Sequence, residues 1–487
     1  MLAFVASHRI LDGDEGFYMY ASELVRQGNI PYKDFFYPQM PLLPYLYALW
    51  IKLFGASFYV GRSLSVVSSG MTGVLLFLII RQRNICRSAA VLSTVLYVMT
   101  GLVWGWLPIV KTYAFSTMFL LAALYFFNRG SSKQSRRDMI LAGLLLALSF
   151  EVRLYFIACL LPFLVITVKR RWPDKNLFAK DLLYAAIGVI IALLFVAYHI
   201  KLAPWPFLFD NLLYHNMRTP DGLIGALGQK VYILKLLMGL GAPDLDLDYT
   251  SSQFLVLAIL AFIGFLKAKT KRDEISLFTA CVLFLICFLP TPTFTQYFCV
   301  IVPLLLINGA ATFELIETRL TGRKITYAIV ITGILLTYMG IGLPEYKKYG
   351  LAKDNVIWRD LSFSIEDHRT ETVSLIRSLI KKHTSKDDTV YVSWPAYLVG
   401  TDRKSVAGAE NHFGVWIAES LNWKIQDNIK VISVDRMFVS KDLRPKAIVL
   451  GVYRGNMNEW LAKYGYKPVA YYGSTTIYVH SGNGDVY

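Results

Sequence analysis

Long apolar runs recur from about residue 58 and stop near Gly342, and they limit what this chain can fold into. A helix needs about 20 mostly apolar residues to cross a bilayer, fewer where the membrane is thinned or the helix is partly buried. The candidate spans are 58–80, 88–107, 112–128, 139–150, 154–168, 181–201, 252–267, 275–290, 296–318 and 326–343. The fourth and fifth form one apolar run interrupted by Glu151 and Arg153, an interruption that reads as a tight turn. Only 17% of the 487 residues are charged, against about a quarter in an ordinary soluble chain. The expected architecture is a polytopic α-helical membrane protein with about 10–11 transmembrane helices and a folded tail.

Loop charge sets the orientation. With the segment before residue 58 outside, the inner loops carry Arg81, Arg83 and Arg87, then Arg129, Lys133, Arg136 and Arg137, then Lys169, Arg170, Arg171, Lys175 and Lys180. The later inner loops carry Lys267, Lys269, Lys271 and Arg272, then Arg319, Arg323 and Lys324. The outer connections are poor in Lys and Arg, as cytoplasmic retention of basic loops requires. This agreement depends on splitting 139–168 into two spans; unsplit, the later loops would invert. The same clustering explains the net charge of +16 better than a nucleic-acid partner does. Cys86, Cys159, Cys281, Cys287 and Cys299 lie in or beside apolar runs without a CxxC pair, which indicates neither a disulfide framework nor a zinc site. Residues Met1 to Ala6 are too short an apolar stretch for a cleavable signal peptide.

Four regions then face outside: the segment to about Phe54, the turn at Glu151–Arg153, the stretch 202–250, and the tail. The division expected is a membrane domain over 1–343, with its first outer loop at 11–57, and a soluble α/β domain over 344–487. In the tail, Thr389–Ser393, Lys446–Leu450 and Ser474–His480 read as strands, and Glu371–His383 and Met457–Tyr464 as amphipathic helices. Neither an internal repeat nor a low-complexity tract is present.

The first outer segment carries the most chemistry. Asp12 and Glu15 fit a capping box, Phe17, Tyr20, Ala21 and Leu24 recur at helical spacing, and Gly28 suits the stop. Asp12, Asp14 and Glu15 serve a helix start on one reading. On the other, carboxylates close to hydrocarbon are costly unless paired or bound, and one of them is a general base. Asp34 follows in a loop rich in proline and aromatics.

The stretch DEGFYMYASELVRQGNIPYKDFFYPQMPLLPYLYALWIKLFG resembles the first periplasmic loop of GT-C-fold glycosyltransferases. It is most similar to the branch holding the protein O-mannosyltransferases and the aminoarabinose transferases of lipid A. The shared pattern is Asp-Glu, then Gly-x-x-Pro-Tyr-x-Asp, then a proline-rich approach to Tyr and Phe-Gly. VGRSLSVVSSG, with Arg62 at its start, resembles the family's second span. The resemblance implies a GT-C fold and sugar transfer from a polyprenyl-phosphate donor, in the membrane, to an extracytoplasmic glycan, lipid or protein. The resemblance also implies that transfer proceeds with inversion. It implies that an acid of this loop is the base, which here falls on Asp14 with Glu15 beside it. The family also has a transmembrane helix immediately before the Asp-Glu loop. The residues preceding Asp14, interrupted by His8 and Arg9, cannot span a bilayer, so a late start of the chain is expected.

A leaving phosphate calls for positive charge or a metal. Arg153, at an outer turn of an apolar run, is the leading candidate, with an ion pair to Glu151 as the competing reading. Lys111 is a second candidate, against interfacial snorkelling. In the 202–250 stretch, His215 and Arg218 stand one helical turn apart and suit a phosphate, or simply belong to a solvated loop, and Trp205 reads equally as an interfacial anchor. Gln296-Tyr297 resembles the family's (His/Gln)-Tyr-x-x-x-x-x-Pro element, which gives Tyr297 a phosphate or sugar contact. Asp244, Asp246 and Asp248 alternate and would suit Mg²⁺ or Mn²⁺, although solvated loop carboxylates account for them as well. No cofactor is otherwise implied. Two other functions compete with the enzyme: a transporter or flippase of lipid-linked sugars, and an inactive binding relative. The chain lacks the paired repeats and broken central helices usual in transporters.

Overall fold

The computed structural model describes residues 1–217, 222–240, 252–268, 271–350, 365–453 and 455–480. The chain forms two compact units. One comprises Met1–His8, Ser65–Val196 and Arg218–Leu351, and the other Arg9–Leu64, Ala197–Met217 and Ala352–Tyr487. These units cut across the linear division at residue 343. The first outer segment and the tail belong to the same unit.

The first unit is helical. Among the described residues, four helices are long and apolar enough to cross a membrane: Phe58–Gln82, Lys175–Leu202, Thr295–Arg319 and Lys324–Lys347. Thr112–Lys133 and Arg136–Val152 form a helical hairpin. Gln134 turns it in the left-handed region, and Ser135 caps the second helix by accepting from the Asp138 amide. The split of the 139–168 run appears as expected. Arg153 leaves the helix with extended backbone, a 3-10 turn follows over Leu154–Cys159, and Leu160–Arg171 resumes. The basic loops are clamped by ion pairs: Arg83–Asp273 at 2.8 Å, Arg129–Asp138 at 2.9 Å, Arg171–Asp181 at 2.7 Å and Lys271–Glu314 at 2.8 Å.

The second unit holds a five-stranded mixed sheet: β1 Thr389–Val392, β2 Lys404–Ser405, β3 Ala447–Leu450, β4 Tyr466–Tyr472 and β5 Thr475–His480. The order is β2-β1-β3-β5-β4. β1 runs parallel to β2 and β3, whereas β5 is antiparallel to β3 and β4. The central strands β1 and β3 are covered on both faces, which is why they read as unbroken apolar runs. β4 was not legible in the sequence. It is an exposed edge strand with Pro468, which lacks an N–H, at a register shift. Two apolar helices were also missed because they sit inside expected outer segments: Leu42–Phe54 and Gly222–Leu237.

Residues of the first outer segment are built into this sheet-bearing unit. Phe36, Phe209, Tyr214, Ile417, Ala418, Ile429 and Val431 form one apolar core. The Leu11 amide donates to the His368 carbonyl at 2.8 Å, and the Ser405 amide to the Tyr20 hydroxyl at 3.1 Å. The Gly400 amide donates to the Glu23 carboxylate at 2.7 Å.

Candidate active site

The acidic turn is built by a capping box. Asp12 caps the helix Gly13–Arg26, accepting from the Asp14 amide at 3.0 Å, while Glu15 reaches back to accept from the Asp12 amide at 2.9 Å. Arg62 then locks the turn. Its Nε and Nη2 donate to the two Glu15 oxygens at 2.8 and 2.6 Å, and its Nη1 and Nη2 donate to the Arg9 and Ile10 carbonyls at 2.7 and 2.8 Å. Arg62 and Glu15 are buried, so this is a desolvated, bidentate ion pair. Both Glu15 oxygens are committed to it. Asp14 is half-buried on the same turn.

Two glycines allow this turn to sit against the sheet. Trp394 Nε1 donates to the Gly13 carbonyl at 2.8 Å. A Cβ on Gly13 would lie 1.9 Å from the Tyr453 hydroxyl, and one on Gly16 would lie 2.7 Å from Trp394 Nε1 and 2.8 Å from the Ala396 amide. Tyr453 therefore abuts the acidic turn. Burial, and then the negative charges of Asp12 and Asp14, push its hydroxyl well above its ordinary pKa. Tyr453 stacks on His412, with ring centroids 4.5 Å apart, and Trp416 lies edge-on to both. The three line a cavity of about 320 Å³ that also receives Glu419, Asp435 and Asn456.

In the other unit, Arg153 packs against a hydroxyl and three tyrosine rings. One N–H donates to Thr112 Oγ1 at 2.6 Å, and the guanidinium lies 4.5, 4.5 and 5.0 Å from the ring centres of Tyr113, Tyr155 and Tyr297. A cation over three aromatic faces is held by their quadrupoles without losing its charge. The alternative ion pair to Glu151 is not formed: both Glu151 oxygens are buried with no hydrogen-bond partner. The Tyr155 hydroxyl is buried beside Cys287, and its ring lies against the Arg153 guanidinium. Lys111 is buried at the N-terminus of Thr112–Lys133, with its ammonium 4.8 Å from the Trp106 ring.

The remaining candidates fare differently. The Asp34 carboxylate accepts from the Ile30 amide at 2.8 Å and closes the turn over residues 30–34. It lies 3.9 Å from the Lys33 ammonium and is partly exposed. His215 belongs to the unit of Asp14, not to that of Arg153, and rests edge-on against Tyr214. Arg218, Asp244, Asp246 and Asp248 lie outside the described residues. Among the described residues no group of three His, Cys, Asp or Glu side chains could hold a metal.

Sequence reasoning missed Asp210. It sits in a one-turn π-helix, Phe209–Leu213, and accepts from the Tyr37 amide at 2.9 Å, while its other oxygen is buried without a partner. Burial raises its pKa well above the ordinary value of an aspartate, against the Tyr37 amide, which lowers it. The signal was a lone carboxylate in the otherwise apolar PWPFLFDNLLY. Also missed was Gln229-Lys230, polar residues in an apolar helix that hold the loop before Tyr297. Gln229 exchanges two hydrogen bonds with the Thr293 backbone, and the Lys230 ammonium donates to Thr291 Oγ1 at 3.1 Å.

A family model described as dolichyl-phosphate-mannose-protein mannosyltransferase matches residues 38–200, a stretch that includes Lys111 and Arg153. The crystal structure of ArnT from Cupriavidus metallidurans bound to undecaprenyl phosphate matches with a TM-score of 0.68 at 12% identity, covering 99% of this chain and 96% of that one. Its apo structure matches with a TM-score of 0.68 at 11% identity, covering 98% and 96%. No curated protein matches by sequence. The fold is that of the GT-C membrane glycosyltransferases, with a small C-terminal sheet. The family match points to a glycosyltransferase.

Proposed function

We propose that this protein moves a sugar from a polyprenyl-phosphate donor to an extracytoplasmic acceptor, with Asp14 as general base and Arg153 as the phosphate-holding cation. In the reaction an acceptor hydroxyl attacks C1 of the donor sugar. The bond from C1 to the phosphate oxygen breaks, the polyprenyl phosphate leaves with that electron pair, and the hydroxyl proton passes to the Asp14 carboxylate. Attack opposite the leaving group inverts C1, through an oxocarbenium-like transition state. Charge grows on the leaving phosphate, and a fixed guanidinium stabilises it.

The observation that carries this reading is the Arg153 cage, a buried arginine held against a hydroxyl and the faces of three tyrosines. Such a group at membrane depth implies an anionic ligand. Supporting it, the matching ArnT structure holds undecaprenyl phosphate. The cavity behind Tyr453, with stacked rings beside carboxylate and amide groups, suits an acceptor that presents a sugar ring. Tyr297 and Tyr155 orient the cation, and Lys111 adds positive charge. The active site and the tail are assigned to the outer side of the plasma or inner membrane.

The test is transfer of labelled sugar from total lipid-linked donors by membranes carrying the protein, with Asp14→Asn and Arg153→Gln at equal folded expression. Asp14→Asn should abolish transfer, and Arg153→Gln should lower it with loss of donor saturation. Transfer by Asp14→Asn at the normal rate refutes the assigned base. Transport of intact lipid-linked sugar without transfer would replace the enzyme with a flippase.

A further inference from the structure

The helix Thr112–Lys133 carries the Thr112 partner of Arg153 at its start, and a second, unassigned feature lies at its other end. From Thr112 to Arg129 the helix rises about 25 Å, at about 1.5 Å per residue. There Tyr125, Asn128, Arg129, Ser132 and Lys133 share one helix face, as three- and four-residue spacing dictates. That face lines a cavity of about 520 Å³, together with Gln82, Arg83, Asn84 and Arg170. Four cations thus border one hollow. Two of them are matched by carboxylates, Arg83 by Asp273 at 2.8 Å and Arg129 by Asp138 at 2.9 Å. Lys133 has no ion pair among the described residues. Arg170 donates to Asn128 Oδ1 at 3.3 Å, a neutral acceptor. That contact fixes the Asn128 amide, and its Nδ2 is left as a buried donor with no hydrogen-bond partner.

Buried donors without acceptors are rare and call for an explanation. Here the unmet donor opens on a hollow bordered by four cations, with the carboxylates of Asp273 and Asp138 paired to two of them. An oxyanion supplies both the missing acceptor and the countercharge. The volume lies in the range of small-molecule sites, and basic hollows between membrane helices suit phosphate-bearing headgroups. By loop charge this end of the bundle faces the cytoplasm.

We infer that this hollow is a phosphate-binding site, occupied by the headgroup of an anionic lipid or by free phosphate, with Lys133, Arg170 and Asn128 as its principal contacts. The inference is independent of the glycosyltransferase reading. It concerns a different end of the unit and needs no transfer activity.

The test uses the full chain purified in neutral detergent. Binding of phosphatidylglycerol and of phosphatidylcholine is followed by native mass spectrometry, with and without excess inorganic phosphate. Lys133→Gln/Arg170→Gln should weaken phosphatidylglycerol binding roughly 25-fold, about fivefold for each cation removed. Arg323→Gln/Lys324→Gln, on another basic loop, should leave it near the original value. Binding of phosphatidylglycerol that resists inorganic phosphate identifies a lipid headgroup, and competition by inorganic phosphate identifies a soluble anion. Equal binding of the two lipids, or equal loss from both double variants, overturns the site. Lys133 is exposed, so Lys133→Gln alone reads out the site if Arg170→Gln fails to fold.

Discussion

Glu15 and Asp14 are adjacent carboxylates, and substitution should separate a scaffold role from a chemical one. Glu15→Gln keeps the volume but removes the charge, and its amide N–H₂ must face an Arg62 N–H. Arg62 then remains buried with its countercharge gone, although it still donates to the Arg9 and Ile10 carbonyls. Breaking a buried pair from one side costs about 3–5 kcal/mol. For a unit of this size that is a fall in the thermal midpoint of about 10 °C. Arg62→Met should cost at least as much, because it strands Glu15 and two carbonyls. The double variant Glu15→Gln/Arg62→Met leaves no unpaired charge at this position, so its cost should fall short of the sum by about 2 kcal/mol. The assay is thermal unfolding of the purified full chain, followed by tryptophan fluorescence, with sugar transfer measured below the transition. Glu15→Gln should lose about 100-fold in transfer as the Asp14 turn shifts by about 1 Å, whereas Asp14→Asn should lose transfer at an unchanged midpoint. If Glu15→Gln unfolds with the parent protein yet loses all transfer, the reasoning is wrong and Glu15 is the base.

Two further outcomes follow from the same unit. Burial pushes Glu23 up to about 7 from an ordinary 4.5, with the Gly400 amide and Arg26 opposing. A raised folded pKa means that the folded state keeps the proton longer than the unfolded chain. Stability therefore falls as pH rises from 4.5 to about 7 and is level above, a loss of about 3 kcal/mol. Glu23→Gln keeps the acceptor for Gly400, so it should remove this share of the slope and raise the midpoint at pH 8, leaving the share of the buried Glu410; a pH series of thermal midpoints with the parent's full slope refutes it. Gly16→Ala should cost about 1–3 kcal/mol by overpacking against Trp394 and Ala396. It should also shift the indole emission as the Trp394–Gly13 hydrogen bond is strained, and an unchanged spectrum and midpoint would show that the contact yields easily.

The helices of the bundle were legible because spanning a bilayer imposes a length and a composition on the sequence, and the turn at Arg153 because two charges interrupt an apolar run. The capping box at Asp12 and Glu15 was legible because it is local, set by a three-residue spacing. Long-range partners left weaker traces. Nothing in VGRSLSVVSSG says that Arg62 closes on Glu15, and nothing near residue 453 says that Tyr453 meets Gly13. The glycines in LDGDEG were the available hint, since a small residue on each side of an acidic pair marks a close backbone approach. Asp210 was hidden by its neighbours: a run that looks like an interfacial anchor contains a carboxylate whose acceptor role to Tyr37 exists only in the folded unit.

The partners of each charged side chain separate scaffold from chemistry better than its position does. Arg62 and Arg153 are both buried arginines at or near a helix end. Arg62 spends its donors on one carboxylate and two carbonyls, a closed set that cancels its charge and fixes two chain segments. Replacing such a pair with apolar groups can be neutral, because desolvation offsets much of the attraction. The Arg153 contacts with Thr112 and three tyrosine rings are to a hydroxyl and to ring faces, which fix its position without adding a negative charge. A site that must bind an anion, release it and bind again needs a cation whose place is set by groups that do not compete for its charge. The same reasoning divides the acids. Glu15 faces a permanent cation and belongs to the scaffold, while Asp14 stands on the turn that this scaffold holds, where the proposed reaction requires a proton to be taken up and given back.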